Sequence, residues 1–93
     1  MIQDFACEQT ARIHAGEFSR RLPQAMQQVA RRKLRQLDAA TDLAFLRVPP
    51  GNRLEALKGT RAGQYSIRVN DHYRLCFVWD GEHAHAVEII DYH

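Results

Sequence analysis

Lys58, Arg68, Arg74 and the run Asp91-Tyr92-His93 are the side chains of this sequence best suited to chemistry. A carboxylate, a phenol and an imidazole stand together at 91–93, directly after the apolar run Ala86-Val87-Glu88-Ile89-Ile90. Each can move or position a proton, and an imidazole does so near neutral pH. Cationic side chains supply the complementary function, stabilising the charge that builds on a phosphoryl group in its transition state. Lys58 precedes Gly59, and all three cations fall in the second half of the chain. The two sets together describe a phosphate-handling site that needs no metal. RNA cleavage is the simplest chemistry for it: the ribose 2′-hydroxyl is the nucleophile, the cations stabilise the phosphorane, and a base and an acid exchange protons. His93 is the natural proton carrier, Asp91 an orienting group or base, and Tyr92 a donor or a stacking surface for a nucleobase.

Strands must position these groups. Tyr65, Ile67 and Val69 alternate with Ser66, Arg68 and Asn70, and Tyr73, Leu75, Phe77 and Trp79 alternate with Arg74, Cys76 and Val78. This period of two predicts two strands, each with one face on a core. A three-residue loop, Asn70-Asp71-His72, keeps both apolar sets on one side and sets Val69 opposite Tyr73 and Arg68 opposite Arg74. Two facing arginines either splay into water or hold an anion. Asp80-Gly81 signals a two-residue hairpin into the last strand. That register carries Asp91 and His93 to the arginine side and Tyr92 to the other. It also turns Glu88 toward the core, so a bulge is expected somewhere along the pair. A further strand is expected from near Arg53 to Lys58, after the loop Pro49-Pro50-Gly51-Asn52.

The first half supplies the cover. Ile2 to Ala6 reads as a short strand, and Glu8 to Ala15 as a short helix ended by Gly16. Pro23 suits a helix first turn, and Met26, Val29, Ala30, Leu34 and Leu37 form one apolar stripe on a helix of about 16 residues. Thr41 or Asp42 caps a short turn through Phe45 and Leu46. The expected fold is α+β: an N-terminal strand and two helices packed on one face of a mostly antiparallel sheet, in one domain over residues 1–93. From Phe18 to Leu37 no acidic residue occurs, while Arg20, Arg21, Arg31, Arg32, Lys33 and Arg35 fall mainly off the apolar stripe. Such a run is either a solvated helix face or a contact surface for a polyanion or an acidic protein segment.

Composition limits the alternatives. The 93 residues, 45% hydrophobic and 26% charged, suit one soluble domain with a modest core. No stretch approaches the roughly 18 apolar residues of a membrane span, and Met1-Ile2-Gln3-Asp4-Phe5 lacks the character of a secretory signal, so a cytoplasmic location is expected. Cys7 and Cys76 make neither a disulfide framework nor a zinc pattern, and Cys76 falls mid-strand, away from a nucleophile turn. His83 and His85 share one side of a strand but lack a third ligand at suitable spacing, and no metal or other cofactor is expected. His14 and His72 read as surface residues, and Trp79 follows the core period.

Several segments resemble HigB-type toxins of bacterial type II toxin–antitoxin systems, in the RelE/ParE superfamily. They are Gly51-Asn52-Arg53-Leu54-Glu55-Ala56-Leu57-Lys58-Gly59, residues 63–71, Tyr73-Arg74-Leu75-Cys76-Phe77 and the closing Asp91-Tyr92-His93. Ala30-Arg31-Arg32-Lys33-Leu34-Arg35 and Leu37-Asp38-Ala39-Ala40 extend the likeness over nearly the whole chain. The resemblance implies a small α+β toxin, also called a plasmid maintenance system killer protein, that enters the ribosomal A site and cuts mRNA. It implies site residues at Lys58, Arg74, Asp91, Tyr92 and His93, with Arg68 beside them. The implied partners are the ribosome, mRNA and a HigA-type helix-turn-helix antitoxin, with operator DNA reached only through that antitoxin and no membrane. The chain carries Glu55-Ala56 where some relatives have histidine-proline, and Thr60 where an acidic residue is common. Two other functions fit the same frame: a ParE-like poison of DNA gyrase, and a non-catalytic module that binds an antitoxin.

Overall fold

Alternating side chains in the second half and a helical stripe in the first decide the architecture. The computed structural model describes residues 1–91. Among them are helices α1 (Glu8–His14) and α2 (Gln24–Ala39), then strands β1 (Glu55–Ala56), β2 (Gln64–Arg68), β3 (Tyr73–Trp79) and β4 (Ala84–Asp91). The strands make one sheet in the order β1-β2-β3-β4, each pair antiparallel. Ile2 and Phe5 add parallel bridges to Ala84 and Val87 on the free side of β4. The N-terminal segment therefore lies along the sheet edge, through isolated bridges rather than a continuous strand. The α+β fold with two helices over a mostly antiparallel sheet is as expected.

The core forms where the two periodicities meet. Met26, Ala30, Leu34 and Leu37 of α2 and Ile13 of α1 are buried with Ile67, Leu75, Phe77, Val87 and Ile89 of the sheet. Each large apolar side chain sealed this way contributes about 1.5–3 kcal/mol. One polar bond fixes the short helix to this layer, from the Ile89 amide to the buried Thr10 hydroxyl at 2.9 Å. Arg31 reaches back from α2 to the α1 end, donating to the carbonyls of Ile13 at 2.9 Å and Glu17 at 3.2 Å. The Ile13 carbonyl lies in the last turn of α1, where a helix runs out of internal donors, and Glu17 lies just beyond it.

Between α2 and the sheet, Asp42 caps a 3₁₀ turn (Leu43–Arg47) by accepting from the Phe45 amide at 2.9 Å. A second such turn, Pro50–Asn52, ends at Arg53, whose backbone is left-handed at φ 46°. The strand expected from Arg53 to Lys58 shrinks to Glu55–Ala56, because this turn precedes it and a third 3₁₀ turn, Gly59–Arg61, follows.

The β2–β3 register is the expected one, with Arg68 opposite Arg74. The β3–β4 hairpin differs in two ways. Its connection is four residues long, from Trp79 to Ala84, rather than Asp80-Gly81 alone. Asp80 Oδ1 accepts the amides of Glu82 at 2.8 Å and His83 at 2.7 Å, which closes the longer turn. Two-residue and four-residue turns leave the same parity, so this alone would not reassign the faces. The bulge does. Cys76 pairs with Glu88 but Val78 with His85, so Phe77 faces both Ala86 and Val87. Ala86 adopts φ 51°, and its amide donates to Asp4 Oδ1 at 2.5 Å. One extra residue flips every later side chain to the other face. Glu88 leaves the core, as it must. Asp91 lands opposite Tyr73, on the helix-covered side, and Arg74 lies opposite Ile90. The expectation that Asp91 shares the arginine face is thereby corrected.

Candidate active site

Behind the helices, the far face of the sheet is unusually polar. Across it runs the row Glu55, Ser66, Cys76, Glu88, one residue from each strand in register. Ser66 and Cys76 are fully buried although they point away from the main core. Their cover is the returning segment between β1 and β2. Arg61 reaches over this face to Glu88 Oε1 at 2.8 Å and also donates to Gln64 Oε1 at 3.1 Å. The bond to Glu88 is the main cause raising the Arg61 pKa above its ordinary value. Burial pushes the Cys76 thiol up to about 11, which removes it from thiolate chemistry at neutral pH.

Arg74 is the second polar support of this face and is only 7% exposed. Its Nε donates to Ser66 Oγ at 2.7 Å, and its Nη2 donates to the Arg53 carbonyl at 2.7 Å and more weakly to that of Ser66 at 3.4 Å. A buried guanidinium is tolerable only with such partners. Arg68, on the facing strand, is half-buried and pairs with the exposed Asp71 carboxylate in the hairpin loop. Asn70 shapes that loop by accepting the amides of His72 at 2.8 Å and Tyr73 at 2.9 Å. Arg53, Arg68, Asn70, Asp71 and Arg74 line one recess of about 250 Å³. Three guanidinium groups against one carboxylate give it an excess of positive charge.

Of the residues expected in the site, Arg68 and Arg74 meet in this recess. Lys58 is exposed in a separate groove of about 410 Å³, with Glu55, Ala56, Leu57, Thr60 and Arg61. Asp91 ends β4 opposite Tyr73. Tyr92 and His93 lie outside the described residues. Among the basic residues of the first half, Arg20, Arg21, Arg32 and Arg35 are exposed. Arg31 is bound to the carbonyls of Ile13 and Glu17, and Lys33 donates to Asn52 Oδ1. Burial lowers the Lys33 pKa, with smaller contributions from Arg32 and Arg68. His85 does not pair with His83: its ring meets Asp80 at 2.6 Å and Asp4 at 3.7 Å. Arg53, expected only as the start of a strand, and Arg61 are not among the site residues expected from the sequence, because 3₁₀ turns and long-range bonds place them. Ser66 was visible as a residue alternating to the arginine side.

The model of RelE-like toxins of the type II toxin–antitoxin system HigB matches residues 3–93. The chain belongs to the HigB-like toxin family. Over 60 residues it is 50% identical to Toxin HigB-1 of Vibrio cholerae serotype O1, an alignment covering 64% of this chain and 63% of that protein. Over 65 residues it is 37% identical to an uncharacterized protein of Haemophilus influenzae, covering 70% of this chain and 64% of the relative. The matched regions thus span a little under two thirds of either relative's length. Membership in this HigB-like family agrees with the α+β architecture.

Proposed function

We propose that this HigB-like chain is a ribosome-dependent endoribonuclease that cuts mRNA by metal-independent attack of the ribose 2′-hydroxyl. The observation that supports this reading is the pair Arg68 and Arg74, which face one another across β2 and β3 in a single cationic recess. In the reaction the 2′-oxygen bonds to the neighbouring phosphorus as its proton passes to a base. The bond from phosphorus to the 5′-oxygen breaks, and that oxygen takes a proton from an acid. The products are a 2′,3′-cyclic phosphate and a 5′-hydroxyl end. Arg68 and Arg74 stabilise the extra negative charge of the phosphorane, which is the largest contribution fixed groups make to such a step. Lys58 holds the RNA strand from its separate groove. Tyr92 and His93 carry the proton transfers, and Asp91, which ends β4 on the other face of the sheet, orients them from outside the recess.

A HigA-type helix-turn-helix antitoxin neutralises the protein and represses the shared operon. The exposed Arg20, Arg21, Arg32 and Arg35 contact ribosomal RNA or that antitoxin. Induction without an antitoxin tests the reading. Wild type should stop growth, while Arg68→Ala and a chain lacking residues 91–93 should be folded and harmless. Arrest that persists in both folded variants refutes the site. Gyrase-linked DNA breaks with intact mRNA would instead assign the chain to the gyrase-poisoning branch.

A further inference from the structure

Arg53 occupies a backbone conformation that glycine or asparagine adopts more readily. It closes the turn Pro50–Asn52 with φ 46° and ψ 55°, where a side chain crowds its own backbone. Such a residue persists when its surroundings over-determine it, and here they do. Asn52 is fully buried, and its amide donates to Gln36 Oε1 at 3.1 Å and to the Leu46 carbonyl at 3.1 Å. Lys33 from α2 donates to the Asn52 side-chain oxygen. On the other side, Arg74 holds the Arg53 carbonyl at 2.7 Å. The turn is therefore clamped between α2 and β3, and the residue it presents to the recess is an exposed arginine.

The division of labour among the three guanidinium groups follows. Arg74 directs Nε and Nη2 into the protein and is buried. Arg68 is half-buried beside Asp71. Arg53 is the most exposed of them, in the class of residues open to solvent. We propose that Arg53 is a phosphate-contacting residue, and that with Arg68 it forms the outer cationic wall of the recess and grips the backbone of a single-stranded RNA. This rests on the ribonuclease reading and adds a binding residue to it. A planar guanidinium suits a phosphate because it can donate two parallel bonds.

The substitution Arg53→Gly separates the side chain from the turn, since glycine accepts the left-handed backbone and keeps the carbonyl that Arg74 uses. The probes are a 2′-O-methyl single-stranded RNA, which lacks the nucleophile, and inorganic pyrophosphate. Binding of each is measured by titration between about 50 and 200 mM salt. Arg53→Gly should melt no lower than wild type, bind the RNA roughly fivefold more weakly at low salt, and show a salt slope smaller by about 0.7. Arg53→Lys should restore most of the slope. A folded Arg53→Gly with wild-type affinity and slope overturns the inference, as does a wild type that binds neither probe. If that variant binds as wild type does while wild type still cuts mRNA, the nuclease reading stands alone. If pyrophosphate binds through Arg53 but mRNA stays intact, the anion site stands and the nuclease reading falls.

Discussion

Arg68 and Arg74 are neighbours across a strand pair, yet their removal should have very different consequences for stability. Arg74→Ala deletes a buried guanidinium bonded to the fully buried Ser66 hydroxyl at 2.7 Å and to the Arg53 carbonyl at 2.7 Å. Each hydrogen bond to a charged group is worth about 1.5–3 kcal/mol, and an orphaned buried hydroxyl carries its own desolvation cost. The Arg53 carbonyl belongs to an exposed residue and can turn to water, so only part of its bond counts. Relief of the like charge opposite returns up to about 1 kcal/mol. The net loss is about 2–3 kcal/mol. In a domain of this size that lowers the melting temperature by roughly 10–20 °C, against a total stability of about 5–15 kcal/mol. Arg68→Ala removes a pair whose side chains are 33% and 85% exposed, a type worth about 0.2–1 kcal/mol, and it gains the same relief of repulsion. It should melt within about 5 °C of wild type. Urea denaturation and thermal melting of both variants in one buffer measure the contrast. Equal losses, or an Arg74→Ala chain as stable as wild type, would refute the assignment of Arg74 as a structural support of the recess. The same reasoning makes Arg68→Ala the cleaner activity variant, because its folded population is intact.

Further predictions concern the two ends of the sheet. Cys76, fully buried with its thiol pushed up to about 11, should resist iodoacetamide in the native protein, while the partly exposed Cys7 reacts; equal labelling rates would contradict the cover provided by Arg61 and Glu88. The surface group of His85, Asp80 and Asp4 should make stability pH-dependent. The Asp80 bond raises the His85 pKa, so its contribution is whole below about 6.5 and fades as pH rises through the raised value. Asp80 is held below its ordinary value, chiefly by His85, so its contribution is lost only in acid as pH falls through that lowered value. The difference in melting temperature between wild type and His85→Gln should therefore shrink from about pH 6 to about pH 9 and shrink further in salt. A constant difference would sink this reading.

Periodicity made the layers legible. The stripe from Met26 to Leu37 and the alternations from Tyr65 to Trp79 lead directly to α2, β2 and β3, and an odd loop places Arg68 against Arg74. The last strand was harder because parity depends on single residues. Ala86 carries no bulge signal in the sequence, yet its φ of 51° reverses the faces of all that follows and moves Asp91 away from the arginines. The places of Arg53 and Arg61 at the site were hidden for another reason. Their places come from 3₁₀ turns and long-range bonds to Arg74 and Glu88, which no local pattern encodes. The chemistry of residues 91–93 was read from their types and from the family resemblance, and the family match adds the toxin context.

Sequencing the 5′ ends of cellular mRNA after induction without an antitoxin tests the central claim most directly. Wild type should generate new 5′-hydroxyl ends within translated regions, and Arg68→Ala, folded to the same extent, should not. Growth arrest with no new 5′-hydroxyl ends, or the same ends from folded Arg68→Ala, would contradict cleavage at the recess formed by Arg53, Arg68 and Arg74.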